Sequence, residues 1–108
     1  ANNTQRRSDV NAILGAVNAY MADHRGNPPS GISTTTSTIS SSGGVDICSA
    51  IVPLYIAAMP VDPNTGSSTS CSSYFTDYTI VRTATSSGSR ITVTAPSAEL
   101  SETITVTR

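Results

Sequence analysis

The sequence predicts an α+β fold in which a long N-terminal helix packs on a small antiparallel sheet of three to four strands. Near the N-terminus, apolar residues recur at steps of three and one, the pattern of one helical face. Toward the C-terminus, Ile and Val alternate with Thr, the pattern of strands with one apolar face. That face must be covered, and the N-terminal helix has the only long apolar stripe that matches it. The 108 residues therefore predict one domain with one core.

Residues 1–26 are predicted to form the helix. Its apolar stripe consists of Val10, Ile13, Leu14, Val17, Tyr20 and Met21. Gly26 and the Pro28-Pro29 pair then supply a left-handed cap and a helix breaker. The stripe and these stop signals together indicate a helix of about twenty residues.

Residues 27–46 are predicted to form a Ser/Thr-rich connector. Every residue from 33 to 42 is Ser or Thr except Ile39, and Gly43-Gly44 follows. This composition buries too little apolar surface to pack by itself, so we expect a flexible or surface-draped segment. Its hydroxyl groups form either an O-glycosylated surface or a solvated loop.

Residues 47–77 are predicted to contain a short helical segment and a turn. Apolar residues again fall at helical steps, but Pro53 interrupts them. Either one short helix ends near Val52, or a second helix begins with Pro53 at its first position. The stretch 60–66 is rich in turn-forming residues and reverses the chain.

Residues 78–108 are predicted to form the antiparallel sheet. Three strands are indicated, at 78–83, 91–94 and 103–107, and the last two place Ile and Val on one face and Thr on the other. The stretch 86–89 suits a hairpin loop, and 96–102 suits a slightly longer connection. The simplest topology is an antiparallel meander.

Cys48 and Cys71 are predicted to form a structural disulfide in the 47–77 segment. Closing a loop of this length removes chain entropy from the unfolded state, an effect worth about 3 kcal/mol. An even pair of cysteines in a small domain favours an oxidising compartment. Free thiols or pairing between molecules are the alternatives.

The charge balance excludes several classes of function. The formal net charge is −1 and the chain contains no Lys. Bulk electrostatics therefore favours no nucleic acid or other polyanion. The lack of Lys argues against phosphate-binding loops of the Walker type, Schiff-base chemistry and pyridoxal-phosphate attachment. The chain contains no run of about twenty apolar residues, so no segment is predicted to span a bilayer.

No constellation of residues indicates catalysis. The one histidine, His24, suits the C-terminal dipole of the helix, and no Gly-x-Ser-x-Gly motif occurs. Glu99 and Glu102 lie in a connector and are expected to face water. Asp62 is expected to accept hydrogen bonds from backbone amides in its turn. Calcium binding is the alternative for Asp62, with Asp77 as its nearby acidic partner. We predict no enzyme activity, catalytic residue, cofactor or metal site.

Six stretches of the sequence, taken together in their order and spacing, resemble the globular part of type IV pilins and pseudopilins. They are RRSDV at 6–10, AY at 19–20, GNPP at 26–29, IVPLYI at 51–56, MPVDP at 59–63 and YTIV at 78–81. The resemblance covers nearly the whole chain and implies a pilin-like fold.

The resemblance implies that the chain is a structural subunit of a type IV pilus-like surface filament. In that family an apolar half of the helix precedes the globular part, anchors the precursor in the cytoplasmic membrane and later packs in the filament core. The implied partners are other pilin subunits in a homo-oligomeric helical filament, the inner-membrane assembly machinery and a prepilin peptidase. Near the filament core, Gln5, Arg6, Arg7 and Asp9 are expected to contact neighbouring subunits.

Two other functions are compatible with the same resemblance. A minor pilin or adhesin would bind a glycan, a surface or DNA through the loops at 33–49 and 64–77, using the aromatic residues Tyr74, Phe75 and Tyr78. DNA binding would then come from the role of the pilus, since the net charge of the chain does not favour it. A pseudopilin of a type II secretion system would form a short filament in the periplasm. The sequence does not distinguish motility, adhesion, DNA uptake and secretion.

Overall fold

The computed structural model describes residues 2–29, 31–52, 54–85, 88–98 and 104–107. These residues form a long N-terminal helix, one short helix and a five-stranded antiparallel sheet, which confirms the α+β class. Within this part of the chain, no helix has the length and apolar character needed to cross a lipid bilayer.

Helix α1 spans Asn2–Asp23 and packs on the sheet through one face. The predicted stripe forms that face: Val10, Ile13, Leu14 and Val17 are buried, and Tyr20 and Met21 pack against the core at its edge. Residues 24–26 form the turn that closes the helix. There the amide of Gly26 donates to the carbonyl of Met21 at 2.7 Å, and Gly26 has a φ of 85°. A positive φ costs glycine little, so this residue ends the helix as predicted.

The sheet contains strands β1 (Ser37–Ser40), β2 (Ser67–Ser70), β3 (Ser73–Thr85), β4 (Gly88–Ala95) and β5 (Ile104–Thr107). Their order is β1-β3-β4-β5, with β2 paired to the first part of β3, and all pairings are antiparallel. The predicted meander of the last three strands is confirmed, because Val93 pairs with Ile80 on one side and Val106 on the other. Residues 86–87 and 99–103, with Glu99 and Glu102, lie outside the described residues.

The prediction of three to four strands is wrong, because the Ser/Thr-rich stretches contribute β1 and β2. In the predicted connector, Ile39 is fully buried and its carbonyl accepts a hydrogen bond from the Thr76 hydroxyl at 2.6 Å. One apolar residue and the backbone pairing with β3 thus order part of a segment expected to be loose. Thr is itself a good strand former, so the polar composition did not exclude a strand.

Helix α2 is a single turn, Cys48–Ile51, and a disulfide joins Cys48 to Cys71, with Cα atoms 5.3 Å apart. This confirms the predicted disulfide. Residues 54–58 are not helical, while Pro53, proposed as a possible helix start, lies outside the described residues. The bond ties α2 to the β2–β3 turn.

The core lies between α1 and the inner face of the sheet. Described residues of β1, β3, β4 and β5, and of both helices, meet there. Its fully buried apolar members include Val10, Ile13, Val17, Ile39, Ile47, Ile51, Tyr78, Ile91 and Val93.

Candidate functional site

A buried ion pair connects the first turns of α1 to the turn at 60–66. Arg6 donates through Nε and Nη2 to the two carboxylate oxygens of Asp62, at 2.7 and 3.1 Å. The side chains are 1% and 0% exposed. Arg6 also donates through Nη1 to Oδ1 of Asn3 at 3.1 Å. A two-pronged guanidinium–carboxylate contact is directional, so it fixes the position of the turn relative to the helix.

Asp62 also organises its own turn. Its Oδ1 accepts the backbone amides of Asn64 at 2.9 Å and Thr65 at 3.2 Å. This confirms the predicted role of the carboxylate as an acceptor of backbone amides. The Asp62 amide in turn donates to the carbonyl of Thr76 in β3 at 2.9 Å, so the turn is held by both the helix and the sheet.

A second polar contact lies one helical turn further along α1. The hydroxyl of Tyr78 donates to Oδ2 of Asp9 at 2.6 Å, and Nε2 of Gln5 donates to Oδ1 of Asp9 at 2.7 Å. Tyr78 is fully buried in β3, and Asp9 is 6% exposed. The first half of α1 is therefore attached to the domain by two hydrogen-bonded carboxylates as well as by apolar packing.

The pKa shifts follow from these contacts. Burial alone raises the pKa of Asp62, but the bond from Arg6 and the amides of Asn64 and Thr65 outweigh burial and hold the pKa below its usual value. Burial, together with the hydrogen bond to Asp9, raises the pKa of Tyr78 well above its usual value. At neutral pH the site therefore contains an ionised Asp62 and a neutral Tyr78.

The lowered pKa of Asp62 predicts a loss of stability in acid. A carboxyl group whose pKa is lower in the folded state stabilises the fold above its unfolded pKa of about 4, and this contribution disappears as the pH falls through the folded pKa. We expect the difference in unfolding free energy between the wild type and Asp62→Asn to be largest at pH 7 and to shrink below about pH 4. Urea unfolding of both proteins between pH 7 and pH 2 measures this; a difference that is constant with pH would contradict it.

Of the four predicted filament contacts, two residues are buried in the domain and two are exposed on its surface. Arg6 and Asp9 lie inside the domain, where their polar groups bind Asp62 and Tyr78, so the expectation that they contact neighbouring subunits is wrong. The side chains of Gln5 and Arg7 are exposed on α1, and their contact with neighbours stays a prediction.

Of the three predicted ligand-binding aromatic residues, two are buried and one is exposed. Tyr74 is 5% exposed. Its hydroxyl donates to Asp46 at 2.7 Å and accepts a hydrogen bond from the amide of Cys48. Burial, followed by the hydrogen bond to Asp46, raises the pKa of Tyr74. Tyr78 is fully buried. Neither ring is available to stack on a ligand, which corrects that expectation. Phe75 is 41% exposed and remains available.

Asp77 and His24 both have local partners. Asp77 has a φ of 58° and accepts the hydroxyls of Thr65 and Ser97. His24 stacks on Tyr20, and its Nδ1 lies 2.7 Å from the carbonyl of Tyr20. Among the described residues, no three His, Cys, Asp or Glu side chains are placed to hold a metal ion together.

The exposed face of α1 is a surface that sequence reasoning missed. It carries a seam of small residues, Ser8, Ala12, Gly15, Ala19 and Ala22, four of them exposed and Gly15 partly so. A Cβ atom built on Gly15 would have no neighbour within 4 Å, so the seam is open there. The alternating steps of four and three are present in the sequence, on the same helix as the more prominent apolar stripe. A seam with this spacing lets a second helix approach closely.

Comparisons of the chain with protein-family models, with curated proteins and with solved structures gave no match.

Proposed function

We propose that this chain is a structural subunit of a type IV pilus-like surface filament. The observation that carries the proposal is the placement of α1, which packs on the sheet with one face and exposes the opposite face along its length. A helix in this position can contact a neighbouring subunit without disturbing the core. Repetition of a heterologous contact that does not close builds a filament.

The small-residue seam supports packing between helices of adjacent subunits. A side chain no larger than a methyl or hydroxymethyl group at each seam position keeps the helix surface low. Gln5 and Arg7 flank the seam at its N-terminal end and would contribute polar contacts there. In the family that the chain resembles, the apolar half of the same helix supplies further association energy in the filament core.

The buried contacts of Arg6 and Asp9 support the same proposal in a different way. They attach the first turns of α1 firmly to the turn at 60–66 and to β3. A subunit whose helix is fixed to its globular part transmits the orientation of the helix to the filament surface. The Cys48–Cys71 disulfide supports an extracytoplasmic location. The proposed partners are other subunits, the inner-membrane assembly machinery and a prepilin peptidase that acts on the precursor.

Immuno-electron microscopy of the source cells tests the proposal. Antibodies raised against the 108-residue chain, checked on a deletion strain, are expected to label filaments along their length. Labelling at tips alone would indicate a minor pilin or adhesin. Expression without labelled filaments would indicate a periplasmic pseudopilin, and both results would contradict a major structural subunit.

A charged residue in the seam is expected to prevent assembly. Ala19→Arg, introduced into the gene in the source cells, should reduce labelled filaments at least tenfold, because a long charged side chain holds adjacent helices apart. Ala57→Arg makes the same change at an exposed loop position outside α1 and should leave filaments unchanged. Both purified chains should keep the thermal stability of the wild type. Normal filaments with Ala19→Arg would exclude the seam as the contact.

A further inference from the structure

The turn at 60–66 places a carboxylate beside a peptide bond of its own backbone. Oδ1 of Asp62 accepts the amide of Asn64, two residues further on, at 2.9 Å. The ring that this hydrogen bond closes contains the peptide bond between Asp62 and Pro63, so the side chain lies alongside the carbonyl group of its own residue. The carboxylate is ionised at neutral pH, and an ionised carboxylate is a nucleophile.

The carbonyl group of Asp62 is polarised by a backbone donor. Its oxygen accepts the amide of Gly66 at 2.9 Å. A donor at this distance stabilises the negative charge that develops on a carbonyl oxygen when a nucleophile adds to the carbon. The approach requires glycine, because a Cβ atom at position 66 would lie 2.5 Å from the nitrogen and 2.9 Å from the carbonyl oxygen of Asp62.

Pro63 supplies the nitrogen on the other side of this peptide bond. The nitrogen carries no hydrogen, and such a tertiary amide nitrogen is more basic than that of an ordinary peptide bond. Asp62 is fully buried, whereas Pro63 and Asn64 are exposed. Protons and water therefore reach the nitrogen from the outer side of the turn.

Arg6 restrains the carboxylate. Its Nε and Nη2 donate to the two oxygens of Asp62 at 2.7 and 3.1 Å, and its Nη1 is held by Asn3 at 3.1 Å. A carboxylate whose charge is neutralised and whose lone pairs accept hydrogen bonds is a poor nucleophile. The ion pair thus opposes the reaction that the rest of the turn favours.

We propose that the bond between Asp62 and Pro63 is a self-cleaving peptide bond that the ion pair with Arg6 keeps intact. When Arg6 withdraws, a carboxylate oxygen of Asp62 adds to the carbonyl carbon of the same residue. The C–N bond to Pro63 then breaks, and the nitrogen takes a proton from solvent. This leaves a five-membered cyclic anhydride at Asp62, which one water molecule opens to two carboxyl groups. The reaction consumes that water and changes no oxidation state.

The two products remain in one molecule. The cleaved bond lies in the sequence between Cys48 and Cys71, so the disulfide still joins residues 1–62 to residues 63–108. The chain gains the mass of one water molecule, and the two pieces separate only after reduction. The reaction needs no contact between subunits, so its failure and a failure of filament assembly are separate results.

Mass spectrometry of the purified 108-residue chain, kept at pH 4 and 37 °C and examined before and after reduction, tests the inference. The wild type in 8 M urea gives the reference rate for the same bond without a folded site. The folded wild type should be cleaved at least tenfold more slowly than this reference. Folded Arg6→Met should be cleaved at least tenfold faster than the folded wild type, and faster than the reference, because the Gly66 amide then assists a free carboxylate.

Two control variants separate the reaction from other causes of cleavage. Arg7→Met makes the same substitution at an exposed position of α1 and should be cleaved as slowly as the wild type. Arg6→Met combined with Asp62→Ala lacks the attacking carboxylate and should stay intact. Cleavage of this double variant at the same bond would indicate a contaminating protease and overturn the inference.

A milder variant covers the case in which circular dichroism shows that Arg6→Met does not fold. Asn3→Ala removes only the acceptor of Arg6 Nη1 and should raise the cleavage rate severalfold over that of the folded wild type. The inference is wrong if folded Arg6→Met is cleaved no faster than the reference, or folded Asn3→Ala no faster than the wild type. Cleavage of the folded wild type at the reference rate would also contradict it.

Discussion

Replacing Asp62 with alanine is expected to lower the free energy of unfolding by about 3–5 kcal/mol. The substitution leaves the guanidinium of Arg6 buried without the carboxylate that faces it at 2.7 Å. It also removes the acceptor for the amides of Asn64 and Thr65, so the turn loses its internal support. Urea unfolding at pH 7, followed by circular dichroism, measures the change.

Two further variants show whether the buried charge causes the effect. Asp23→Ala removes an exposed carboxylate that accepts the Tyr55 hydroxyl at 2.7 Å and should cost less than about 1 kcal/mol. Arg6→Met combined with Asp62→Ala should be more stable than Asp62→Ala alone, because the buried positive charge is then absent. A loss below 1 kcal/mol for Asp62→Ala would show that the ion pair does not hold the helix to the turn.

The two halves of this ion pair were not equally visible in the sequence. Asp62 stands in a run of turn-forming residues, so its local role followed from residue type alone. Its partner is 56 positions away, and no local pattern specifies a contact at that distance. One signal was available: Arg6 precedes the buried Ile13 by seven residues and therefore lies on the buried face of the same helix. Because Arg6 is charged, its side chain was expected to be exposed.

Residue type misled the prediction at Tyr78 as well. An aromatic residue with a hydroxyl group suits a binding surface, but it suits a core equally well where the hydroxyl finds a partner. Asp9 is that partner, from a helix 69 positions earlier. Alternation within β3 pointed toward burial, since Tyr78 and Ile80 share a face. The apolar pattern thus predicted the helix and the last three strands, while the polar contacts depended on how these elements pack.

The Ser/Thr-rich strands show a different limit. Strand β1 contains one apolar residue, Ile39, and β2 contains none. Their order comes from pairing with β3, which is thirteen residues long and offers partners along both of its edges. A long central strand can recruit polar segments whose own composition does not predict a strand, because backbone hydrogen bonds need no particular side chain.

Replacing Ile13 with alanine is expected to cost about 3–5 kcal/mol, in the upper part of the range for such truncations. Ile13 is fully buried on α1, which packs on β4 and β5, and it belongs to the same core as Ile91 and Val93. The sheet has little freedom to collapse into the space, because its strands are held in register by their pairing. The cavity should therefore persist and add its own cost to the lost burial.

The neighbouring Asn11 gives the matched comparison. It is exposed on α1, and its Nδ2 donates to the carbonyl of Arg7 at 2.9 Å. Asn11→Ala should change the unfolding free energy by less than about 0.5 kcal/mol, since Ala favours a helix and offsets the lost contact. Urea unfolding of both variants measures the contrast. A large effect at Ile13 with almost none two residues earlier is expected only if α1 packs on the sheet in the register described. Equal effects would mean that the helix is rotated, and the small-residue seam would then no longer face outward.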